Sequence, residues 1–104
     1  MRAARLLMLT LSAAALASAP AQAQQVRRAP VQVDACAPCH GVDGIARDVE
    51  VPHLAGQNEA YLLNQLRAFR TGARKHKEMR YMSRHMTEQD FEALAAYYAA
   101  LPRS

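Results

Sequence analysis

The chain has 104 residues, a formal net charge of +4 at neutral pH and 51% hydrophobic residues, with two cysteines and no tryptophan. That length holds one small domain and excludes a second. A disulfide scaffold is excluded as well, because a bridge between Cys36 and Cys39 would close only a tight loop and restrain the unfolded chain weakly.

The first segment reads as a leader. Arg2 and Arg5 are basic, residues 6–17 form an apolar run, and Ala21-Gln22-Ala23 places small residues where a signal peptidase reads them. The competing reading is an uncleaved membrane anchor, but the run falls short of the ~20 residues a spanning helix needs. Residues 1–23 are therefore expected to be a secretory signal peptide and 24–104 the working domain, placed in the periplasm. No twin-arginine pair opens the chain, so general secretion in an unfolded state is the expected route. Removal of Arg2 and Arg5 lowers the basic count from 13 to 11 against 9 acids, a net of +2. A domain this small rarely builds an adequate core alone, and a bound cofactor is one way to supply it.

Gln24 to Ala29 reads as a polar terminus. Pro30 suits the first turn of a helix, which is expected to run into the cysteine motif. Glycines at 41, 44 and 56 with Pro52 mark residues 41–56 as loop. A clear helix follows from about Asn58 to Thr71. Asn58 caps it, Leu62, Leu66 and Phe69 repeat at helical spacing, and Gly72 stops it. Ala73 to Met86 is expected to be a basic loop. The last helix opens at Thr87, where Asp90 three residues on completes a variant capping box. Phe91, Leu94, Ala95, Tyr98 and Leu101 make its apolar stripe, and Pro102 ends it. No alternating strand pattern and no internal repeat occur. The class is all-α, three or four helices joined by long loops, and loops of that length fit a chain wrapped around a large flat group.

Cys36-Ala37-Pro38-Cys39-His40 is C-x-x-C-H, the attachment pattern of c-type haem. Two thiols reach the two vinyl groups of one porphyrin, and the imidazole directly after the second thiol falls beneath the ring at the iron. Three other readings compete. A thioredoxin-like dithiol wants a βαβ context and has no use for His40. Structural zinc usually takes four protein ligands, and adjacent Cys39 and His40 do not easily share one tetrahedron. A simple disulfide is the third. The helical pattern and the leader favour haem c with its iron over all three.

Haem iron has a second axial position, and the methionines outside the leader are Met79, Met82 and Met86, all just before the final helix. A thioether there would give His/Met ligation, which raises the reduction potential and closes the iron to outside ligands. Met86 precedes the cap Thr87, with Phe91 at the fourth helical position, the geometry of a hydrophobic staple, so it is expected to pack. Met79 and Met82 remain, and local physics does not choose between them. Either would otherwise serve as a gap-filler in the core.

These residues resemble the class I cytochromes c, most closely a single domain of the tandem-haem cytochromes c4 and the small bacterial c5 and c553 proteins. The matching pieces are Cys36 to Gly44, Val51 to Gln57, Tyr61 to Gly72, Met79 to Met82, and Thr87 to Tyr98, which together span nearly the whole of residues 24–104 in the expected order. The resemblance implies the class I cytochrome c fold. It also implies Met79 as sixth ligand, since the family's methionine stands eight residues before the cap of the last helix; Met82 is the reserve. The same resemblance implies that the Pro52 carbonyl accepts the other N–H of His40, which makes the imidazole a stronger donor. It implies too that Leu54, Tyr61, Leu66 and Leu94 line the haem crevice, which for such residues is nearly the same claim as core packing. Three departures stand out. Arg28, Pro30 and Gln32 occupy the region where the family's first helix crosses the last, so that helix is expected to be short or loosely docked. His53 sits where relatives often carry lysine. The single C-x-x-C-H excludes a tandem dihaem form for this chain.

Arg67, Arg70, Arg74, Lys75, Lys77, Arg80 and Arg84 cluster around the helix end and the methionine segment, with only Glu78 opposing them in the sequence. Arg70, Arg74, Lys75, Lys77 and Arg80 are the candidate docking residues for an acidic redox partner: a dehydrogenase, a cytochrome complex or a terminal oxidase. A solvated basic loop is an equal reading. Nucleic acid suits an exported cofactor protein poorly, and contact with an anionic membrane surface stays open. The favoured function is single-electron transfer without enzymatic turnover, as a free shuttle or as the haem subunit of a larger oxidoreductase. The competing functions are a peroxidase-like enzyme or gas sensor with an open sixth position and, more weakly, a haem-free thiol protein.

Overall fold

The computed structural model describes residues 3–4, 8–16 and 29–103. Arg2, Arg5, the Ala21-Gln22-Ala23 site and most of the polar stretch from Gln24 lie outside the described residues. Residues 8–16 have no regular secondary structure and are exposed. No helix among the described residues is long and apolar enough to cross a membrane.

Four helices and no strand occur among the described residues: α1 Val33–His40, α2 Glu59–Thr71, α3 Lys77–Ser83 and α4 Glu88–Ala100. The two longest form where the local chemistry is strongest. In α2 the Asn58 side chain accepts the Tyr61 amide at 2.9 Å, satisfying one of the N–H groups that a helix start leaves without a partner. At the other end Gly72 takes φ +84°, a left-handed conformation that stops the helix and suits glycine. In α4 the capping box is complete: Thr87 Oγ1 accepts the Asp90 amide at 3.1 Å, and Asp90 Oδ2 accepts the Thr87 amide at 2.9 Å. That helix buries Phe91, Leu94, Ala95, Tyr97 and Tyr98, and α2 packs against it and against α3.

The core joins Val33, Leu62, Leu94, Ala95, Tyr97 and Tyr98, with Cys36, Leu54, Leu66 and Met86 packed against it. Each fully buried large side chain contributes roughly 1.5–3 kcal/mol relative to exposure. Met86 thus packs into the core, as its place before the cap implies.

Two expectations change. The segment 73–86 is not all loop, because Lys77–Ser83 forms α3, with His76 Nδ1 accepting the Met79 amide at 3.3 Å as an N-cap. Lys, Glu, Met and Arg are good helix formers, but seven residues carry no apolar stripe long enough to read, and histidine is an uncommon cap. The first helix begins at Val33, three residues later than Pro30, after turns in which the Pro30, Val31 and Gln32 carbonyls accept the Val33, Asp34 and Ala35 amides. At eight residues, with Pro38 inside it, α1 is short, as expected, and too short to persist by itself. It is nonetheless tied to the last helix. Val33 is 1% exposed, and the Gln32 side chain donates from Nε2 to Asp90 Oδ1.

Residues 41–56 fold back on themselves. The Gly44 carbonyl accepts the amides of Leu54 and Ala55 at 2.8 and 3.1 Å. A Cβ on Gly44 would lie 2.7 Å from the Ala55 nitrogen, and its φ is +72°, so only glycine fits this crossing.

Candidate haem-binding site

The site is built on α1 and the loop after it. Cys36 and Cys39 are both free thiols on one helix, Cys36 half-buried and Cys39 exposed. Burial, with a smaller contribution from Cys39, pushes the Cys36 thiol up to about 11. Burial therefore holds Cys36 in its thiol form, in which it is a poor direct ligand for a metal ion.

His40 ends α1 and is 8% exposed. Its Nδ1 lies 2.9 Å from the Pro52 carbonyl oxygen. A carbonyl can only accept, so Nδ1 carries the proton, and Nε2 is left with its lone pair as an acceptor or metal donor. The backbone just beyond is pinned from α4. The Tyr97 hydroxyl donates to the Val42 carbonyl at 2.6 Å and the Tyr98 hydroxyl to the Gly41 carbonyl at 3.2 Å. Burial drives the Tyr98 phenol far above its ordinary value, so it stays a donor. The loop's far end returns to the same helix, where the Tyr98 carbonyl accepts the Gly56 amide at 3.0 Å.

Of the candidate lining residues, Leu94 is buried, and Leu54 and Leu66 are half-buried in the cluster that includes Cys36. Tyr61 is 46% exposed and lies outside that cluster. Met79, on α3, is half-buried and close to His40, whereas Met82 is exposed. No group of three or more His, Cys, Asp or Glu side chains that could hold a metal ion exists among the described residues. The donors present are thus two thiols, of which Cys36 packs against the apolar cluster that holds Leu94, one oriented imidazole and the Met79 thioether of α3. That set fits a tethered porphyrin with two axial ligands and does not fit a zinc cage.

The basic cluster differs from its sequence reading. Glu88 opposes it from α4, pairing with Arg67 and, at 3.2 Å, with Arg70. Hydrogen bonds from Arg67 first, then Arg70, hold the Glu88 carboxyl below its ordinary value. Arg70 also sits 4.5 Å over the Phe91 ring, and Arg74 lies over Phe69 while donating to Gln65 at 2.7 Å. Arg67 and Arg70 are therefore committed to the fold, and Arg74, though exposed, is held over Phe69. Lys75, Lys77 and Arg80 are exposed.

The contacts hidden from the sequence were Glu88, the Tyr97 and Tyr98 hydroxyls, and the His53 ring, whose Nδ1 accepts the Ala46 amide at 2.8 Å. Adjacent tyrosines near the end of an apolar helix carried a usable signal, since buried phenols need partners.

A small all-α domain with Cys-x-x-Cys-His on its first helix, a carbonyl-held imidazole and a downstream methionine segment defines a class I c-type cytochrome. The cytochrome c family model matches residues 26–101, and the chain belongs to that family. It is 38% identical over 95 residues to cytochrome c4 of Pseudomonas aeruginosa, covering 91% of this chain and 45% of that protein. It is 39% identical over 77 residues to the thiosulfate dehydrogenase electron acceptor of Thiomonas intermedia, covering 73% and 36%. Among solved structures, reduced recombinant cytochrome c4 from Pseudomonas stutzeri superposes with a TM-score of 0.64 at 32% identity, covering 81% of this chain and 50% of that one. The chain spans about half the length of the cytochrome c4 proteins it matches. The fold is that of a single cytochrome c4 domain, and the cofactor is covalently bound haem c with its iron.

Proposed function

We propose that this protein is a periplasmic monohaem electron carrier, with haem joined by thioethers at Cys36 and Cys39 and its iron ligated by His40 and Met79. The observation that carries the reading is the His40 ring, which directly follows the second cysteine and is held by Pro52 with Nε2 left to bind metal. Bound haem supplies a one-electron iron couple. The chain orients the imidazole, offers a thioether from α3, and packs Cys36, Leu54 and Leu66 against the apolar cluster that holds Leu94, a setting that would shield a bound haem from water. Met82 is the alternative thioether, less favoured because it is 40% exposed.

Residues 1–23 serve as the export signal in this reading. The partners are redox proteins with acidic docking faces, which meet Lys75, Lys77 and Arg80. A dehydrogenase is one such partner, in line with the name of the Thiomonas relative.

The test is an absorption spectrum of the matured protein, oxidised and reduced, with and without carbon monoxide. A low-spin c-type spectrum with the weak thioether–iron band, unchanged by carbon monoxide, is the expected result. A high-spin spectrum that shifts with carbon monoxide would replace the carrier with an enzyme or sensor. Absence of haem from a host that matures c-type cytochromes would remove both.

A further inference from the structure

We infer that His53 is a positioning residue for the iron ligand: it clips the loop that carries Pro52, and so sets how firmly the Pro52 carbonyl holds His40. The inference rests on His40 being that ligand, as proposed above. Ala46 is 8% exposed, so its amide needs a protein acceptor. The acceptor is His53 Nδ1 at 2.8 Å. An amide can only donate, so Nδ1 is bare and the ring is neutral, with its proton on Nε2.

Pro52 has no N–H and cannot anchor itself. Its ties come from either side. Before it, the Val51 amide donates to the Asp48 carbonyl at 3.1 Å; after it, the Leu54 amide donates to the Gly44 carbonyl at 2.8 Å. The His53–Ala46 bond is the nearest tie on the following side, and it joins two residues that line one hollow of the loop. The lining of that hollow comes entirely from the loop, and its charged members are Arg47 and Asp48. Arg47 pairs with Asp43 at 3.5 Å, and Asp48 Oδ1 accepts the Glu50 amide at 2.9 Å.

The clip has a built-in sensitivity to acid. A histidine protonated on both nitrogens has two donors and no acceptor, so it faces the Ala46 N–H donor to donor and the bond is lost. Loosening Pro52 weakens its hold on the His40 N–H. A less polarised imidazole is a weaker donor to iron, which disfavours the oxidised state and raises the reduction potential. Lysine at this position would supply no acceptor, so the device belongs to the histidine.

The experiment compares the haem-loaded wild type with His53→Asn and His53→Leu. Asparagine places an oxygen acceptor where Nδ1 lies but does not titrate; leucine removes the acceptor. The midpoint potential and the hydrogen-exchange protection of the Ala46 amide are followed from neutral pH into the acid range. In the wild type the potential rises toward acid while Ala46 protection falls about tenfold, the factor a single hydrogen bond commonly contributes. His53→Asn keeps the neutral-pH potential of the wild type and stays flat. His53→Leu has a higher potential and an unprotected Ala46 at every pH. A purely electrostatic effect of the ring charge would instead leave His53→Leu at the neutral wild-type potential, and that result overturns the positioning role. So does Ala46 protection that is indifferent to His53→Leu, or an acid rise that persists in His53→Asn. Failure of the ligand assignment would show separately, in the absorption spectrum, because Ala46 reports the clip whether or not His40 binds iron.

Discussion

Leu94→Ala puts the shared core to a quantitative test. Leu94 is 2% exposed in the middle of α4, in the cluster where Val33, Leu62 and Tyr98 meet Cys36, Leu54 and Leu66. Truncation removes three buried carbons, a transfer loss of about 2.4 kcal/mol at ~0.8 per methylene. The void adds to this, because α4 is pinned at both ends, by the Thr87–Asp90 box and by the Tyr97 and Tyr98 hydroxyls, and cannot settle inward. The expected loss is about 3.5 kcal/mol, inside the ~2–5 range for buried Leu→Ala. That is roughly a 300-fold change in the unfolding constant at ~1.4 kcal/mol per tenfold, against total stabilities of about 5–15 kcal/mol. Guanidinium unfolding of the haem-loaded protein, followed by far-ultraviolet circular dichroism, reads it directly. Val49→Ala is the control: Val49 is fully exposed, and its change should stay within about 0.5 kcal/mol. A Leu94→Ala loss below about 1 kcal/mol with an unchanged denaturant slope would refute the placement of Leu94 at the centre of this core.

Two further outcomes are expected. Met79→Ala should open the iron to carbon monoxide and lower the reduction potential, while Met82→Ala leaves both nearly unchanged; the reverse pattern would move the ligand to Met82. Acid should destabilise the fold through α4. The Asp90 carboxyl is held below its ordinary value, chiefly by the Thr87 amide, with the Thr87 hydroxyl and Gln32 assisting, and Glu88 is held down by Arg67 and Arg70. Depressed folded values mean that this stabilisation is complete above the unfolded carboxylate range of about 4 and is lost as pH falls through the lower folded values. The melting temperature should therefore drop more steeply below about pH 4 in the wild type than in an Asp90→Asn/Glu88→Gln variant; equal acid slopes would contradict the assignment.

The basic face shows how far composition carries an argument. Seven cations close in sequence suggested one docking patch. In the fold, Glu88 from α4 takes up Arg67 and Arg70, and aromatic rings lie beneath Arg70, Arg74 and Arg84. An exposed ion pair stabilises little, but this arrangement reduces the charge displayed to a partner. Steering should then depend on Lys75, Lys77 and Arg80 more than on the arginines of α2.

The sequence by itself determined what is chemically local. Asn58, Gly72, Thr87 with Asp90, and Pro102 bound α2 and α4, because caps and stops act over a few residues of backbone. The stripe from Phe91 to Leu101 named the buried face, and Cys36, Cys39 and His40 carried their meaning in their spacing. Only the tertiary structure decided what depends on side chains meeting across the chain. It turned seven residues without an apolar stripe into α3, brought Glu88 to Arg67 and Arg70 and Gln32 to Asp90, and aimed Tyr97 and Tyr98 at the backbone after His40. It also placed the His53 ring on the Ala46 amide. The reason is directional. A hydrogen bond or ion pair between residues far apart exists only once packing has fixed where both side chains point, and no local spacing encodes that direction.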